Sequence, residues 1–340
     1  MKKYKKGMVL GKFYPPHNGH MFLIDTALEQ CESVDVFVCS LPTETIPGML
    51  RTFWIWKHYR DSGTKNINVI PISDELPQTP EEHGDKDDFY KLWCNVVNSN
   101  SVNLDAIFTS ESYGEEFAEY LGLKHVLVDI ERVTHSVSGT SIRNNPVENW
   151  EHIPAVVRTH FKRVVAILGP ESTGKSTLTK QLAEHFDGDM VEEYGRDYTD
   201  ETPAKELKYG DYLVIAYTHD TNIMDKLHDG TKSHLFIDTD GITTKLFAEM
   251  YLGDELENDE IDSVINQQVD QFDLVLVCDI DVPWVDDGTR DFSKIEDRKR
   301  HLDKILNELT KRKIPYKIVS GNYAERLEVA KQYICELNVK

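Results

Sequence analysis

A glycine-rich stretch in the second half of the chain, GPESTGKST at 169–177, constrains the fold more than any other feature of the sequence. It follows a short apolar run with three β-branched residues, RVVAIL at 163–168. After it, Leu178, Leu182 and Phe186 recur at helical spacing, so the order is strand, loop, helix. Backbone N–H groups of such a loop turn inward around an anion. The sequence therefore predicts a phosphate-binding loop for a nucleoside triphosphate.

Each part of this loop has a predicted partner on the bound triphosphate. Gly169 and Gly174 let the backbone turn around the β-phosphate, Lys175 reaches the β- and γ-phosphates, and the Ser176 hydroxyl ligates Mg²⁺. The predicted ATP-binding residues of the loop are Gly169, Pro170, Glu171, Ser172, Thr173, Gly174, Ser176 and Thr177, with Lys175 as a catalytic residue. The alternative is an accidental Gly-Lys-Ser in a surface turn, which the flanking strand and helix disfavour.

Length and charge set the broad class of the protein. At 340 residues the chain is long for one domain, and two domains of about 150–180 residues are expected. The proline-containing stretch at 144–160 has no long apolar run, which predicts domains at 1–150 and 160–340. The formal charge of −21 opposes long-range attraction to nucleic acid or to an anionic membrane. An anionic ligand must then be held by local groups.

The cysteines and the N-terminus indicate a cytoplasmic protein. Five cysteines with no C-x-x-C pair favour reduced thiols over a disulfide framework or a zinc site. The basic start MKKYKKG precedes an apolar run that is far too short for a signal peptide or a membrane anchor. No membrane partner is therefore expected.

The first half begins with a buried strand that runs directly into a stiff loop. MVLGKF at 8–13 leads into YPPHNGH at 14–20, where two prolines block both strand and helix. An apolar stripe at helical spacing starts near Asn18, so His17 and His20 lie at a helix N-terminus and face the same side. Imidazoles beside free helix N–H groups suit the triphosphate of ATP. The alternative is a pair of surface histidines or a partial metal site, which the strand and the spacing disfavour.

Four more strands complete the first half. They are predicted at 34–39, 67–72, 106–110 and 124–128, the first of them a buried parallel strand. The polar stretch at 73–88 is predicted to be a mobile surface loop. Trp93 follows on a helix, where it either packs in the core or faces a ligand ring. At 138–143, SGTSIR, either Ser138 or Ser141 caps a helix together with Thr140, and Arg143 directs a guanidinium at phosphate.

These motifs carry a resemblance to a known family. GKFYPPHNGH at 11–20 together with SGTSIR resembles the paired signature of nicotinamide mononucleotide adenylyltransferases within the HIGH-type nucleotidyltransferases. The resemblance implies a Rossmann-like domain in which His17, His20 and Arg143 are catalytic and Trp93 stacks on the nicotinamide ring. The ATP-binding residues that it implies here are Gly11, Lys12, Phe13, Thr109, Ser110, Ser138 and Thr140. The first motif alone also occurs in pantetheine-phosphate adenylyltransferases, so phosphopantetheine is an alternative acceptor.

A polar and aromatic cluster follows the second strand of the second half. The strand opens at 189–193 and runs into YGRDY at 194–198, and ligands gather at the carboxyl ends of strands in open α/β sheets. Glu193 is the predicted proton acceptor for a substrate hydroxyl, and Tyr194, Arg196 and Tyr198 are predicted to bind an aromatic base. The alternative is that these are ordinary exposed polar residues.

The remaining predicted site residues follow two later strands. HLFI at 234–237 runs into Asp238, the pattern of a Walker-B-like carboxylate that joins Ser176 at the metal. After the apolar run at 274–278, the segment 283–290 is predicted to be a lid, in which Arg290 faces the transferring phosphoryl group and Trp284 an aromatic ligand. Trp284 packed in the core is the alternative. A strand at 316–319 and a C-terminal helix close the domain.

The second half resembles the ribosylnicotinamide kinase domain of bifunctional NadR-type proteins. The motifs are GPESTGKST, EEYGRDY, DTDGITT and PWVDDGTRDF, and with the first half the likeness covers nearly the whole chain. Family members in enteric bacteria carry a further N-terminal helix-turn-helix repressor domain. Here the first strand begins by Met8, so neither that domain nor a transcriptional role is expected.

Together these features predict two doubly wound, parallel-sheet α/β domains, a Rossmann-like nucleotidyltransferase and a P-loop kinase. The resemblance implies that nicotinamide riboside, nicotinamide mononucleotide, ATP and NAD are the ligands, with Mg²⁺ as cofactor. The oligomeric state stays open, a homo-oligomer included. A regulatory sensor that binds NAD or ATP without turnover is the rival class, which intact Lys175, His17, His20 and Arg143 disfavour.

Overall fold

The computed structural model describes residues 2–73, 75–129, 136–202, 206–253, 259–284 and 294–337. The chain divides into two compact units, and the first ends at Arg158 while the second begins at Thr159. Among the described residues, no helix has the length and apolar character that crossing a membrane requires.

The first unit contains a five-stranded parallel sheet in the order β3-β2-β1-β4-β5. Its strands are β1 (Tyr4–Gly11), β2 (Cys31–Cys39), β3 (Ile67–Ile72), β4 (Ala106–Thr109) and β5 (Lys124–Leu127). Its helices are α1 (Asn18–Gln30), α2 (Gly48–Asp61), α3 (Pro80–His83), α4 (Lys86–Asn100), α5 (Gly114–Leu121) and α6 (Gly139–Asn144). A 3₁₀ turn at Trp150–His152 follows, and the point where the chain divides falls within the next helix, α7 (Ala155–Phe161). The strand order reverses at β1, so the loops after β1 and β4 meet at the switch point where ligands bind in such sheets.

Both faces of this sheet are covered by helices, which explains its continuous apolar runs. Val36 and Val38 of β2 face one core cluster, while Phe37 between them faces the other. The alternation follows from the two-residue period of a strand. Trp93 of α4 belongs to the second cluster and is 6% exposed.

The prediction of a surface loop at 73–88 is wrong over the two helices that begin there. Thr79 caps α3, with Pro80 at its first position, and the Asp85 carboxylate accepts a hydrogen bond from the Asp88 N–H at 2.9 Å to cap α4. Prolines and acidic residues favour a loop in general, but at the first turn of a helix both are favourable.

The second unit repeats the architecture with a parallel sheet in the order β10-β9-β6-β8-β7. Its strands are β6 (Arg163–Leu168), β7 (Asp189–Val191), β8 (His234–Asp238), β9 (Leu274–Cys278) and β10 (Tyr316–Val319). Its helices are α8 (Lys175–His185), α9 (Tyr194–Glu201), α10 (Tyr209–Asp229), α11 (Gly241–Leu252), α12 (Asp259–Val269), α13 (Ile295–Lys311) and α14 (Tyr323–Cys335). The central strand β6 opens into the glycine-rich loop at the switch point between β8 and β9. The prediction of two parallel-sheet α/β domains is confirmed.

One strand is shorter than predicted. β7 ends at Val191, because it is an edge strand that pairs with only three residues of β8. Tyr194 and Tyr198 consequently lie on α9 rather than at the end of a strand.

Candidate functional site

The first unit contains a cavity of about 900 Å³ at the carboxyl ends of β1 and β4. Every residue predicted for the first site lines it: Gly11, Lys12, Phe13, His17, His20, Trp93, Thr109, Ser110, Ser138, Thr140 and Arg143. Residues from opposite ends of this half of the sequence thus meet in one place, because the parallel sheet brings the loops after its strands to the same edge.

His17 and His20 form a stacked pair at the start of α1. Their ring centroids are 3.7 Å apart, and His17 is the residue that caps the helix. The His17 backbone N–H donates to Nδ1 of His20 at 3.3 Å, so a neutral His20 carries its proton on Nε2. The pair therefore presents imidazole donors to the cavity beside the helix N-terminus, which favours an anion.

Arg143 and Tyr14 join the two motifs of the first unit. The Arg143 guanidinium lies 4.0 Å from the Tyr14 ring centroid, donates to the Tyr14 carbonyl through Nη1 and donates to the Thr140 hydroxyl at 3.2 Å. Gly139 allows this contact, because a Cβ there would lie 2.2 Å from the Tyr14 carbonyl oxygen. Ser138, rather than Ser141, caps α6, accepting from the Ser141 N–H at 3.0 Å.

Glu44 and Arg51 organise the loop after β1, and sequence reasoning missed both. Arg51 is fully buried and donates to the Lys12 carbonyl at 2.7 Å and to Glu44 at 2.6 Å. Lys12 pairs with the other Glu44 oxygen at 3.2 Å. Burial opposes ionisation of Glu44, but the Leu41 N–H and the two cations outweigh it and hold the pKa of Glu44 below its ordinary value. Lys12 was visible in the first motif, but the carboxylate that holds it together with Arg51 was not.

The opposite wall of the first cavity is aromatic. Trp93 donates from Nε1 to the Pro77 carbonyl at 3.0 Å, which fixes the indole and leaves its faces apolar. Thr109 is held by a 2.8 Å hydrogen bond between its hydroxyl and Nε2 of His125. The cavity therefore combines a cationic end with an aromatic wall, as a nucleotide requires.

The second unit contains a cavity of about 810 Å³ at the carboxyl end of β6. Most residues predicted for the second site line it: Gly169, Glu171, Ser172, Thr173, Gly174, Lys175, Ser176, Thr177, Glu193, Tyr194 and Arg196. Pro170 lies behind the loop, and its carbonyl accepts from the Thr173 hydroxyl at 2.7 Å and from the Lys175 ammonium at 3.2 Å.

The glycine-rich loop has the backbone that an anion cradle needs. Three of its residues have positive φ: Gly169 at 147°, Ser172 at 58° and Gly174 at 80°. This conformation turns successive N–H groups to one side. Ser172 adopts it without being glycine, at a cost of about 1–3 kcal/mol that the surrounding contacts must offset. Lys175 begins α8, so the free N–H groups at the helix N-terminus add to those of the loop.

Asp238 ends β8 beside the loop, and its side chain is buried. It interacts with the Ser176 hydroxyl, while its Oδ1 atom has no hydrogen-bond partner among the described residues. Burial raises the pKa of Asp238, the Lys175 charge lowers it, and Glu193 raises it again. An orphaned carboxylate oxygen next to a serine hydroxyl is a donor set that fits a hard divalent cation sharing phosphate oxygens.

Glu193 and Arg196 form the wall opposite the glycine-rich loop. They make an ion pair at 3.8 Å, and Tyr194 lines the cavity between them. Tyr198 does not line the cavity, and its hydroxyl donates to the Asp211 carboxylate at 2.5 Å. Trp284 is half-buried and does not line the cavity formed by the described residues. Arg290 lies outside the described residues.

Sequence reasoning missed several residues that line the second cavity. His219 is buried on α10, with Nε2 at 3.4 Å from the Thr239 carbonyl, and burial lowers its pKa. His301 on α13 is also buried, and burial together with the Lys175 charge lowers its pKa to about 4. Tyr212 and Thr243 also line the cavity. Thr243 belongs to the DTDGITT motif, whereas His219, Tyr212 and His301 lie on helices with no motif around them, so only tertiary structure brings these three together.

The comparisons with known proteins match either the second half of the chain or nearly all of it. An AAA domain family matches residues 164–326. The chain is 34% identical to the trifunctional NAD biosynthesis/regulator protein NadR of Escherichia coli K12, over 91% of this chain and 77% of that protein. It is 33% identical to the protein of the same name from Salmonella typhimurium LT2, over 97% of this chain and 83% of that protein.

A solved structure extends the comparison to three dimensions. The crystal structure of a NadR protein in complex with NAD and AMP-PNP is 25% identical to this chain and superposes with a TM-score of 0.72. The alignment covers 100% of this chain and 98% of that one.

Proposed function

The chain belongs to the NadR family of NAD biosynthesis and regulator proteins, and we propose that it makes NAD from nicotinamide riboside and ATP in two steps. The second unit phosphorylates the riboside to nicotinamide mononucleotide. The first unit then joins the mononucleotide to the AMP part of a second ATP and releases pyrophosphate. The observation that carries this proposal is that each phosphate-binding motif lines a cavity within its own unit.

In the proposed kinase step, the 5′-hydroxyl of nicotinamide riboside attacks the γ-phosphorus of ATP and ADP leaves. Lys175 neutralises charge on the transferring group, and Glu193 accepts the hydroxyl proton. The effect of Glu193 on the pKa of Asp238 supports this assignment, because it indicates that the carboxylate lies near the metal-binding residues. Ser176 and Asp238 would hold Mg²⁺, which would neutralise charge on the phosphates.

In the proposed adenylyl transfer, a phosphate oxygen of nicotinamide mononucleotide attacks the α-phosphorus of ATP and pyrophosphate leaves. His17, His20 and Arg143 neutralise the charge that builds up on the leaving pyrophosphate. The attacking group is already an anion, so the step needs no protein base. The stacked imidazoles at the start of α1 support this role.

Aromatic residues are proposed to bind the pyridinium ring in both units. In the first unit, Trp93 offers an indole face, and cation–π attraction to a pyridinium contributes about 0.5–2 kcal/mol. In the second unit, Tyr194 and Arg196 line the cavity, and Tyr198 and Trp284 remain predicted contributors. We also propose a cytoplasmic location, since all five cysteines are free thiols and ATP is abundant there.

A single incubation tests the proposed function. Purified protein is mixed with Mg²⁺, ATP and nicotinamide riboside, and the nucleotides are analysed by mass. We expect nicotinamide mononucleotide, NAD, ADP and pyrophosphate. A parallel incubation with phosphopantetheine tests the alternative acceptor. Binding of ATP with no turnover of either acceptor would indicate a sensor instead of an enzyme.

A further inference from the structure

Two buried arginines lie behind the glycine-rich loop of the second unit, on the side away from the cavity. Arg326 is on α14 and Arg298 is on α13, and both are at most 2% exposed. Burying an uncompensated guanidinium costs several kcal/mol, so the contacts that each arginine makes explain its place.

Arg326 joins three segments of the chain, through three backbone carbonyls and one carboxylate. Its Nε donates to the Gly321 carbonyl at 2.9 Å, and Nη2 donates to the Asp279 carbonyl at 2.8 Å and to the Asp281 carboxylate. The remaining nitrogen, Nη1, donates to the Thr173 carbonyl of the glycine-rich loop. The rigid fork of a guanidinium can satisfy these acceptors at once, and a lysine ammonium cannot.

Arg298 holds the neighbouring peptide of the same loop. Its Nη2 donates to the Ser172 carbonyl at 3.3 Å, and both Nη1 and Nη2 donate to the Val282 carbonyl at 3.2 Å. Ser172 is the non-glycine residue of the loop with left-handed backbone. Tyr323, at the start of α14, adds a packing contact, since a Cβ on Gly174 would lie 2.7 Å from its ring.

These contacts determine where the loop's N–H groups point. In a planar trans peptide, the carbonyl of one residue and the N–H of the next point in opposite directions. Holding the Ser172 and Thr173 carbonyls behind the loop therefore directs the N–H groups of Thr173 and Gly174 the other way. Both of these residues line the cavity.

We propose that Arg326, assisted by Arg298, is a positioning residue of the kinase site, which aims the N–H groups of Thr173 and Gly174 at the phosphates of the nucleoside triphosphate. The inference rests on the proposed kinase function. Neither arginine lines the cavity, so both act through the backbone rather than by touching the substrate. Preorganised N–H donors of this kind reduce the reorganisation needed in the transition state.

The test compares Arg326→Lys with Arg312→Lys. Arg312 is a largely buried arginine at the end of α13 that pairs with Asp262 and Glu308, and among the described residues it makes no hydrogen bond or ion pair with the loop. We measure the affinity of the second cavity for AMP-PNP with Mg²⁺ by calorimetry, with saturating NAD present to occupy the first cavity, and we measure the kcat of riboside phosphorylation and the melting temperature. We also measure amide exchange at Thr173 and Gly174 at saturating AMP-PNP.

For Arg326→Lys we expect weaker AMP-PNP binding, a kcat lower by about 10–100-fold and faster exchange at both amides. The KM for nicotinamide riboside should change by less than about threefold. Arg312→Lys should lower only the melting temperature. The role is refuted if Arg326→Lys melts lower but keeps wild-type AMP-PNP affinity and amide exchange.

If Arg326→Lys does not fold, the same assays on Arg298→Lys test the positioning role instead. Because its contacts are longer, it should show the same pattern with smaller changes, and wild-type affinity and exchange in that variant would overturn the proposal. A wild-type protein that binds AMP-PNP but does not phosphorylate the riboside would contradict the kinase assignment alone. The measurements of AMP-PNP affinity and amide exchange would still test the role of Arg326.

Discussion

Burial sets the charge of the side chains at both ends of β8. His234 begins the strand, and burial, with a smaller effect from Arg163, lowers its pKa to about 4. Asp238 ends the strand, and burial raises its pKa. Burial thus disfavours the charged form of both groups. A cation bound at Asp238 would favour the carboxylate form, whereas His234 stacks on Phe236.

His234 gives the second unit a predictable sensitivity to acid. The unfolded chain binds this proton near pH 6.5 and the folded chain near pH 4, so the unfolded state binds more protons in between. The free energy of unfolding therefore falls as pH falls through that window, by about 1–2 kcal/mol at pH 5. His234→Phe keeps an aromatic ring and removes the titration.

The measurement is the melting temperature of the second unit, identified by its rise with nicotinamide riboside, which the proposed function assigns to that unit alone. Between pH 7 and pH 5, the melting temperature of His234→Phe should fall by less than that of the wild type. An equal loss in both proteins would show that His234 does not contribute to acid sensitivity.

Trp284 either contacts the ligand or packs in the core, and one substitution distinguishes these two roles. Its indole Nε1 is buried and has no hydrogen-bond partner among the described residues, and the chain beyond it at 285–293 is not described. If the ring stacks on nicotinamide riboside, Trp284→Leu should raise the KM for the riboside by about threefold to thirtyfold. The melting temperature and the KM for ATP should stay near wild type. If the variant melts well below wild type and its KM values for both ATP and riboside rise, Trp284 has a structural role.

At the scale of elements, the first site depends on the close approach of α6 to the loop after β1. Gly139→Ala would place a methyl group 2.2 Å from the Tyr14 carbonyl oxygen, so the helix must move. Arg143 and Thr140 would move with it, and a shift of this size lowers adenylyl transfer by about 100-fold. Riboside phosphorylation by the same variant is the internal control and should be unchanged. A normal rate of adenylyl transfer in Gly139→Ala would show that the reaction does not depend on this position of Arg143.

The elements also show what the sequence could and could not predict. The strand, loop and helix around 163–186 were predictable because apolar periodicity and glycine spacing are local properties. The helix α3 was not predicted, because the proline and the acidic residues that begin it are common in loops as well as in first helical turns. The contacts of Glu44 with Lys12 and of Arg326 with Thr173 could not have been predicted, because the two residues of each pair lie in separate segments that only the folded sheet brings together.

At the scale of the whole molecule, the two cavities share no residues. The residues of the first lie between Leu10 and Arg143, and those of the second lie between Gly169 and His301. Each cavity therefore lies within one compact unit. A substitution in one site should leave the chemistry of the other intact, since effects of distant, independent sites are additive.

The most direct test of two independent sites uses Lys175→Ala and His20→Ala. Each variant is incubated with ATP and Mg²⁺ and with either nicotinamide riboside or nicotinamide mononucleotide, and the products are measured by mass. Lys175→Ala should make no mononucleotide from riboside but should still make NAD from supplied mononucleotide. His20→Ala should accumulate mononucleotide and make little NAD. Loss of both activities in either folded variant would contradict the account.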